Sequence, residues 1–314
     1  MNINHYLKIN GMLAQTDNIK QKIFDVKHGR IKQGLKIGID DIDEFLRYKQ
    51  GNLVLAIGHA NVGKTTVIVY LMVLWAIKHK LRFLIWSSEN TPQSIVRKII
   101  EFKMGEPIET ASEQKINNAL QWCDLYFKII DVEELYNYQD LLKEAKAIKK
   151  AWDYSGLLVD PYNSLSKDKT LMKSLGNAHE YDYQVTSEFR LFAKKTNITV
   201  FINMHGVTEA LRRTHPIGHE YQLLPMPLGL ASVEGGGKHG NRSDDVICIH
   251  RYVSHATDWM YSHISILKVK ENETGGRPTS YDNPIKIRMS RNNVGFEYMG
   301  QDILNNNKIK PPKF

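Results

Sequence analysis

The chain is poor in cysteine. Cys123 and Cys248 are the only two in 314 residues, and they form no CxxC pair. That leaves nothing for a disulfide framework and suits a reducing compartment, with both thiols in small buried roles. Long apolar runs are missing too. The longest, "VIVYLMVLWAI", is too short to span a bilayer and reads as a buried helix. The opening "MNINHYLKINGMLAQT" has no apolar segment of the kind a secretory leader needs. No internal repeat and no low-complexity block is present. These absences argue against secreted, membrane and repeat architectures. They leave a cytoplasmic protein long enough for one large domain or two small ones.

Acidic residues are outnumbered. The formal net charge is +8, which favours polyanionic partners, nucleic acid first. Part of the excess sits in the terminal "KIKPPKF", so charge alone decides little.

Residues 1–35 are polar and basic without a strong period, and read as an arm or linker helix. Residues 304–314 read as a flexible tail. Between them, over 36–303, apolar runs alternate with helical patterns. "LVLAIG" (53–58), "RFLIWSS" (82–88), "YFKIID" (126–131), "SGLLVDP" (155–161) and "ITVFINMH" (198–205) read as strands. Helices are expected from Lys64 to His79, over 138–152 and over 181–196. Another should open at Thr91 as N-cap with Pro92 at its first position, and close at Gly105. Buried strands that do not alternate, separated by helices, imply a mainly parallel sheet covered on both faces. After residue 245 the runs "DVICIHRYV", "HISILKVKE", "NPIKIRMS" and "VGFEYM" are joined by turn residues. The sheet should therefore end in antiparallel hairpins. The fold class is α/β.

One stretch carries chemistry by itself. Gly58-His59-Ala60-Asn61-Val62-Gly63-Lys64-Thr65 fits G-x-x-x-x-G-K-[ST], followed by Thr66, with a strand before and a helix after. The glycines let backbone N–H groups converge on phosphate, with Lys64 on the β- and γ-phosphates. The Thr65 hydroxyl ligates Mg²⁺. The positive end of the following helix points to the same place. A triphosphatase also needs a carboxylate near the metal, and Asp160 ends the apolar strand "GLLVD". A base to orient water is offered by Glu89, at the mouth of the strand that follows the loop's helix. An ordinary turn Asp and a helix-start Glu are the plain alternatives for these two.

With those elements in order, about residues 34–300 resemble the RecA-like motor of DnaB-type replicative helicases, including phage-encoded members and Twinkle. The resemblance rests on "GLKIGIDDIDEFLRYKQGNLVLAIGHANVGKTT", "FLIWSSENTPQSIVRKII", "LLVDPYNSL" and "ITVFINMH". It implies a RecA-like P-loop NTPase and makes Glu89 the water-activating base. His205 would sense the γ-phosphate. Arg251 falls near an arginine that packs on the base of ATP. "GLASVEGGGKHGNRSDDVICIHR" looks like the loop facing a ring's channel. There Gly235, Gly236 and Gly237 would let backbone approach DNA closely, and Lys238, His239 and Arg242 would attract phosphates, joined by Arg212 and Arg213 upstream. In "ILKVKENETGG" the pair Lys268 and Lys270 stands where the family has Lys-x-Arg reaching the ATP of the next subunit. Lysine keeps the finger's charge but loses its planar fork. No N-terminal collar or primase-like module of the family is expected ahead of the motor, so partner functions would lie on other chains or the helicase would be a reduced one.

The implied function is an ATP- and Mg²⁺-dependent replicative DNA helicase. It would form a homo-oligomeric ring, a hexamer, on single-stranded DNA, in the cytoplasm of a cell or phage-infected host. A separate primase, polymerase or loader would be its partner, and no membrane is involved. Two other readings stay open: a RecA/RadA-like recombination ATPase, and an ATP-binding sensor or loader factor with little hydrolysis.

Overall fold

The computed structural model describes residues 16–131, 136–280 and 282–304. The expectations for residues 1–15 and for the tail from 305 fall outside the described residues. In chain order the elements are α1 (Thr16–Lys27), α2 (Asp40–Asp43), β1 (Leu53–Gly58), α3 (Lys64–His79), β2 (Phe83–Ser87) and α4 (Pro92–Met104). Then come α5 (Glu113–Tyr126), β3 (Phe127–Ile130), α6 (Tyr138–Ala151), β4 (Gly156–Asp160), α7 (Lys169–Ser174), α8 (Ala178–Thr196) and β5 (Thr199–His205). The C-terminal part holds α9 (Gly237–Arg242), β6 (Asp245–His250), β7 (Tyr261–Val269), β8 (Ile285–Met289), β9 (Phe296–Tyr298) and β10 (Gln301–Asp302).

The ten strands among the described residues form one sheet in the order β10-β9-β8-β7-β6-β1-β5-β4-β2-β3. From β6 to β3 the pairs are parallel. From β6 outward through β7, β8, β9 and β10 they are antiparallel. The expected α/β class, with a parallel centre and antiparallel hairpins, is what the chain forms.

Each face of the sheet has its own core. One is built on α3, whose Val67 to Ala76 are buried without a break. That explains why its sequence is apolar all round rather than striped. The other core is built on α8, through Val185, Phe189 and Ala193. Local signals set the helix ends. Thr91 Oγ1 accepts from the Ser94 amide at 3.3 Å, and Gly105 closes α4 at φ 73°. Helix α5 was not expected, because only Ala119 and Cys123 of its residues are buried and its stripe is weak. Helix α8 begins three residues before the apolar pattern, at an Asn177 cap. Among the described residues, no helix is long and apolar enough to cross a membrane.

Asp244 ties three elements together. Its Oδ1 accepts from Arg190 Nε and Nη2 of α8, at 3.1 and 2.8 Å. Its Oδ2 accepts from the Leu53 amide at 3.0 Å, at the start of β1. Its side chain is 3% exposed, so Asp244→Ala strands a buried amide and a half-buried guanidinium. Denaturant unfolding should show a loss of about 2–4 kcal/mol. Asp244→Asn, which keeps one acceptor, should lose less.

Candidate nucleotide site

The phosphate loop lies where β1 meets α3, at the carboxyl ends of the parallel strands, the usual place for ligands in such sheets. Asn61 and Gly63 take left-handed φ of 59° and 87°, which turns the backbone around an open centre. Gly58 has a different reason to be glycine: a Cβ there would meet the Ile249 carbonyl at 2.3 Å. Lys64 Nζ donates to the Gly58 and His59 carbonyls at 3.2 and 2.8 Å. Its third contact is His205 Nδ1 at 3.1 Å. The lysine is only 5% exposed and has no carboxylate partner within ion-pair distance among the described residues. Burial pushes its pKa down to about 8, partly offset by the fields of Asp160 and Glu89. A buried cation with no counter-ion fits a phosphate group.

Asp160 sits beside it, 1% exposed. Thr65 Oγ1 donates to its two oxygens at 3.0 and 2.9 Å. Asn203 Nδ2 donates at 2.6 Å and Ser87 Oγ at 3.2 Å. A hydroxyl and a carboxylate are the hard oxygen donors that Mg²⁺ takes from proteins, with phosphate and water completing its shell. The residues therefore fit the metal as well as the phosphates.

Glu89 joins through His205. A lysine ammonium can only donate, so His205 Nδ1 accepts. Nε2 then carries the proton and faces Glu89 Oε1 at 3.0 Å. The order Lys64–His205–Glu89 is continuous. Thr66 Oγ1 accepts from Lys98 Nζ at 2.9 Å. Arg251 lies alongside, with Cδ 4.0 Å from where a Gly63 Cβ would stand, and its guanidinium donates to the Trp259 carbonyl at 2.7 Å. His59 is turned away from the loop's centre. It is buried, its Nε2 pairs with the Met226 carbonyl at 3.0 Å, and its ring packs on His250.

The residues expected to meet DNA are held in different ways. Arg212 and Arg213 are exposed, and Arg212 pairs with Glu209 at 2.8 Å. The glycine-rich segment is not an open loop, because Gly237 starts α9 and Gly236 turns into it at φ 68°. Lys238 pairs with Glu180, and the Arg242 guanidinium lies 4.1 Å over the Tyr183 ring, both on α8. His239 departs from its expected role. It is 2% exposed and points inward, with Nδ1 2.6 Å from Thr186 Oγ1, so it offers no charge to a phosphate. Burial also holds its pKa down.

Lys268 and Lys270 lie far from their own chain's phosphate loop. Lys268 pairs with Val246, next to the Asp245 that pairs with Val54 near the start of β1. From Val54 to Gly58 the strand runs about 13 Å. Lys268 Nζ donates to the Gly240 and Ser243 carbonyls at 2.7 and 2.8 Å, and so holds the end of α9 instead of projecting outward. Lys270 is 44% exposed, with Nζ 3.6 Å from Asp244 Oδ1.

Sequence reasoning missed Asn203, Ser87 and Lys98. Asn203 had a readable signal: a lone amide inside the apolar strand "ITVFINMH" must find a partner when buried.

A strand-loop-helix phosphate cradle on a mainly parallel sheet, with a carboxylate and a glutamate at neighbouring strand ends, is the architecture of a RecA-like P-loop NTPase. Two solved structures share the fold. An ATPase domain solved by itself superposes with a TM-score of 0.71 at 12% identity, covering 91% of this chain and 99% of that one. A DnaB-like replicative helicase, described with its interactions with primase, gives 0.70 at 13% identity, covering 91% and 67%. In sequence, the Twinkle homolog protein, chloroplastic/mitochondrial, of Arabidopsis thaliana is 23% identical over 244 residues, 73% of this chain. The chain spans 32% of that relative's length. No family model matches. The resemblance to the motor of DnaB-type replicative helicases, Twinkle-like members included, is borne out.

Lys64 gives a test that needs no catalysis. Its folded pKa of about 8 lies below the ordinary 10.5, so the unfolded chain holds the proton more tightly. Below pH 8 both states are charged and the full burial penalty applies, about 3 kcal/mol. The penalty fades as pH rises from 8 to 10.5. Lys64→Met should therefore stabilise the nucleotide-free chain at pH 7, with the gain vanishing toward pH 10.5 in paired melts. The same variant should lose nucleotide binding.

Proposed function

We propose that this chain is the ATP-hydrolysing motor of a replicative DNA helicase, which works as a homo-oligomeric ring on single-stranded DNA in the cytoplasm. The observation that carries the reading is the contact series Lys64–His205–Glu89 beside Thr65–Asp160. It supports reading Lys64 as the phosphate-binding cation, His205 as the γ-phosphate sensor and Glu89 as the base, because the three side chains form one hydrogen-bonded array.

In this reading the backbone from Gly58 to Thr65 and the Lys64 ammonium bind the β- and γ-phosphates of ATP. Thr65 and Asp160 hold Mg²⁺, which supplies charge neutralisation at the phosphate oxygens. Ser87 and Asn203 keep the Asp160 carboxylate oriented. Glu89 takes the proton of the attacking water, and Arg251 packs on the base. His205 donates to Glu89 from Nε2 while Lys64 donates to its Nδ1. Drawing Lys64 toward phosphate frees Nδ1 and lets the ring shift, which is how the site would report its state.

Lys270 serves the neighbouring subunit's site. Its place at the opposite end of the strands from its own loop suits a contribution across a boundary. Lys268 supports α9 from within the chain. Arg212, Arg213, Lys238 and Arg242 give the channel its positive charge. A separate primase, polymerase or loader would be a further partner.

Glu89→Gln should keep ATP bound and abolish turnover, because an amide cannot take the proton. Lys270→Ala chains should hydrolyse slowly, yet regain partial activity when mixed with Lys64→Ala chains. Some boundaries then pair an intact loop with an intact finger, whose arginine equivalents elsewhere are worth about 10³–10⁵ in rate. Mixing that restores nothing would mean the site is complete in one chain, and would favour the monomeric sensor. Filaments in negative stain would favour the recombination ATPase.

Neutralising Arg212, Arg213 and Lys238 together should flatten the salt dependence of single-strand binding by about 0.7 per lost contact. An unchanged slope would move the DNA contact to another surface.

A further inference from the structure

The two residues after Asp160–Pro161 reach in different directions. Tyr162 and Asn163 open a short 3₁₀ turn at the end of β4. Asn163 Oδ1 accepts from the His205 amide at 3.1 Å, and its Nδ2 donates to Glu234 Oε2 at 2.5 Å. Lys167 Nζ adds a second contact to Glu234 at 3.4 Å. Glu234 immediately precedes the glycine turn that starts α9. One side chain therefore spans the gap between the strand end that carries His205 and the segment that carries Lys238 and Arg242.

Tyr162 makes the second link. Its hydroxyl donates to Asp182 Oδ1 at 2.7 Å, and its ring meets the His239 ring edge-on at 5.1 Å. Thr186 donates to the Asp182 carbonyl at 2.7 Å, so its oxygen accepts from His239 Nδ1. Among the described residues, His239 Nε2 is buried without a hydrogen-bond partner. Tyr162, Asp182, Thr186 and His239 are each no more than 6% exposed. Room between them is scarce: a Cβ on Gly235 would meet His239 Nε2 at 2.4 Å and Asp182 Oδ2 at 2.9 Å, and this glycine takes φ +79°. The turn before α9 is thus locked against the residues that follow Asp160. It cannot move without breaking polar contacts in a closely packed interior.

We propose that the Tyr162–Asn163 turn is the element that positions the Lys238–Arg242 helix according to the state of the phosphate site, with the Asn163–Glu234 and Tyr162–Asp182 hydrogen bonds as its two arms. Tyr162, Asn163, Glu234 and His239 are positioning residues that touch neither nucleotide nor DNA. This rests on the helicase reading, because it assigns the nucleotide to one end and the nucleic acid to the other. Coupling between two sites is a ratio of affinities, with about 5–150-fold the usual span.

The experiment measures the affinity of the full chain for a fluorescein-labelled oligothymidylate. It is read with Mg²⁺ and either a non-hydrolysable ATP analogue or ADP. In the parent chain the two affinities should differ about 10-fold. Asn163→Ala and Tyr162→Phe should bring them within about 2-fold, with analogue affinity, from a separate titration, held within about 3-fold. Tyr162→Phe keeps the ring's volume and guards against simple misfolding. Glu234→Gln, which keeps an acceptor, should retain most of the ratio, and Glu234→Ala should not. The double variant Asn163→Ala/Glu234→Ala should lose no more than either single one, since both break the same arm.

Ratios unchanged in Asn163→Ala and Tyr162→Phe overturn the proposal, as does full additivity in the double variant. A parent chain that binds both ligands with no difference between nucleotides also overturns it. A parent chain that binds no nucleotide or no single strand overturns the helicase reading itself, and this proposal with it.

Discussion

A buried carboxylate must be saturated with donors, and here that requirement organises the molecule. Asp160 accepts from Thr65 on α3, from Ser87 on β2 and from Asn203 on β5, with a longer 3.5 Å contact from Asn90. These donors come from one helix and from the two strands that flank β4. Their agreement on one pair of oxygens fixes how far the strand ends lie from the phosphate loop. Remove the carboxylate and the donors around it are left inside the protein without partners. The same group that suits a metal also sets the geometry of the cradle.

From that point two lines of contact leave the site. One runs through His205 to Lys64 and Glu89 and stays within the phosphate chemistry. The other runs through Tyr162 and Asn163 to the glycine turn and α9. They meet at His205, whose ring belongs to the first line and whose amide belongs to the second. One residue thus joins the part of the site that holds charge to the part that holds position.

Much of this was legible in the sequence. The loop Gly58 to Thr65, the strand ends at Glu89 and Asp160, and the change to antiparallel pairing after residue 245 follow from spacing and apolar runs. What escaped has physical reasons. Helix α5 buries so little that its pattern is faint. The segment around Gly237 reads as an open loop, because three glycines in a row forbid any confident helix from propensity. Contacts with α8 override that, and turn His239 from a candidate phosphate ligand into a buried strut. Lys268 read as half of a pair reaching the next subunit's ATP, because sequence does not show the carbonyls at the end of α9 that absorb its donors. Residues that act through partners far along the chain, Asn163 and Glu234 above all, leave no local pattern to read.

Helix α3 buries every residue from Val67 to Ala76. A helix with no wet side has no direction in which to yield, because any tilt presses one packed layer and opens a void behind another. The phosphate loop is therefore mounted on a stator. In the proposed motor, a displacement driven by nucleotide would appear in parts held by a few polar contacts rather than by a full core. Those parts are the turn after Asp160 and the short helix that follows Gly236. On that proposal the molecule would divide into a fixed half and a lever, with the boundary between them beside Asp160.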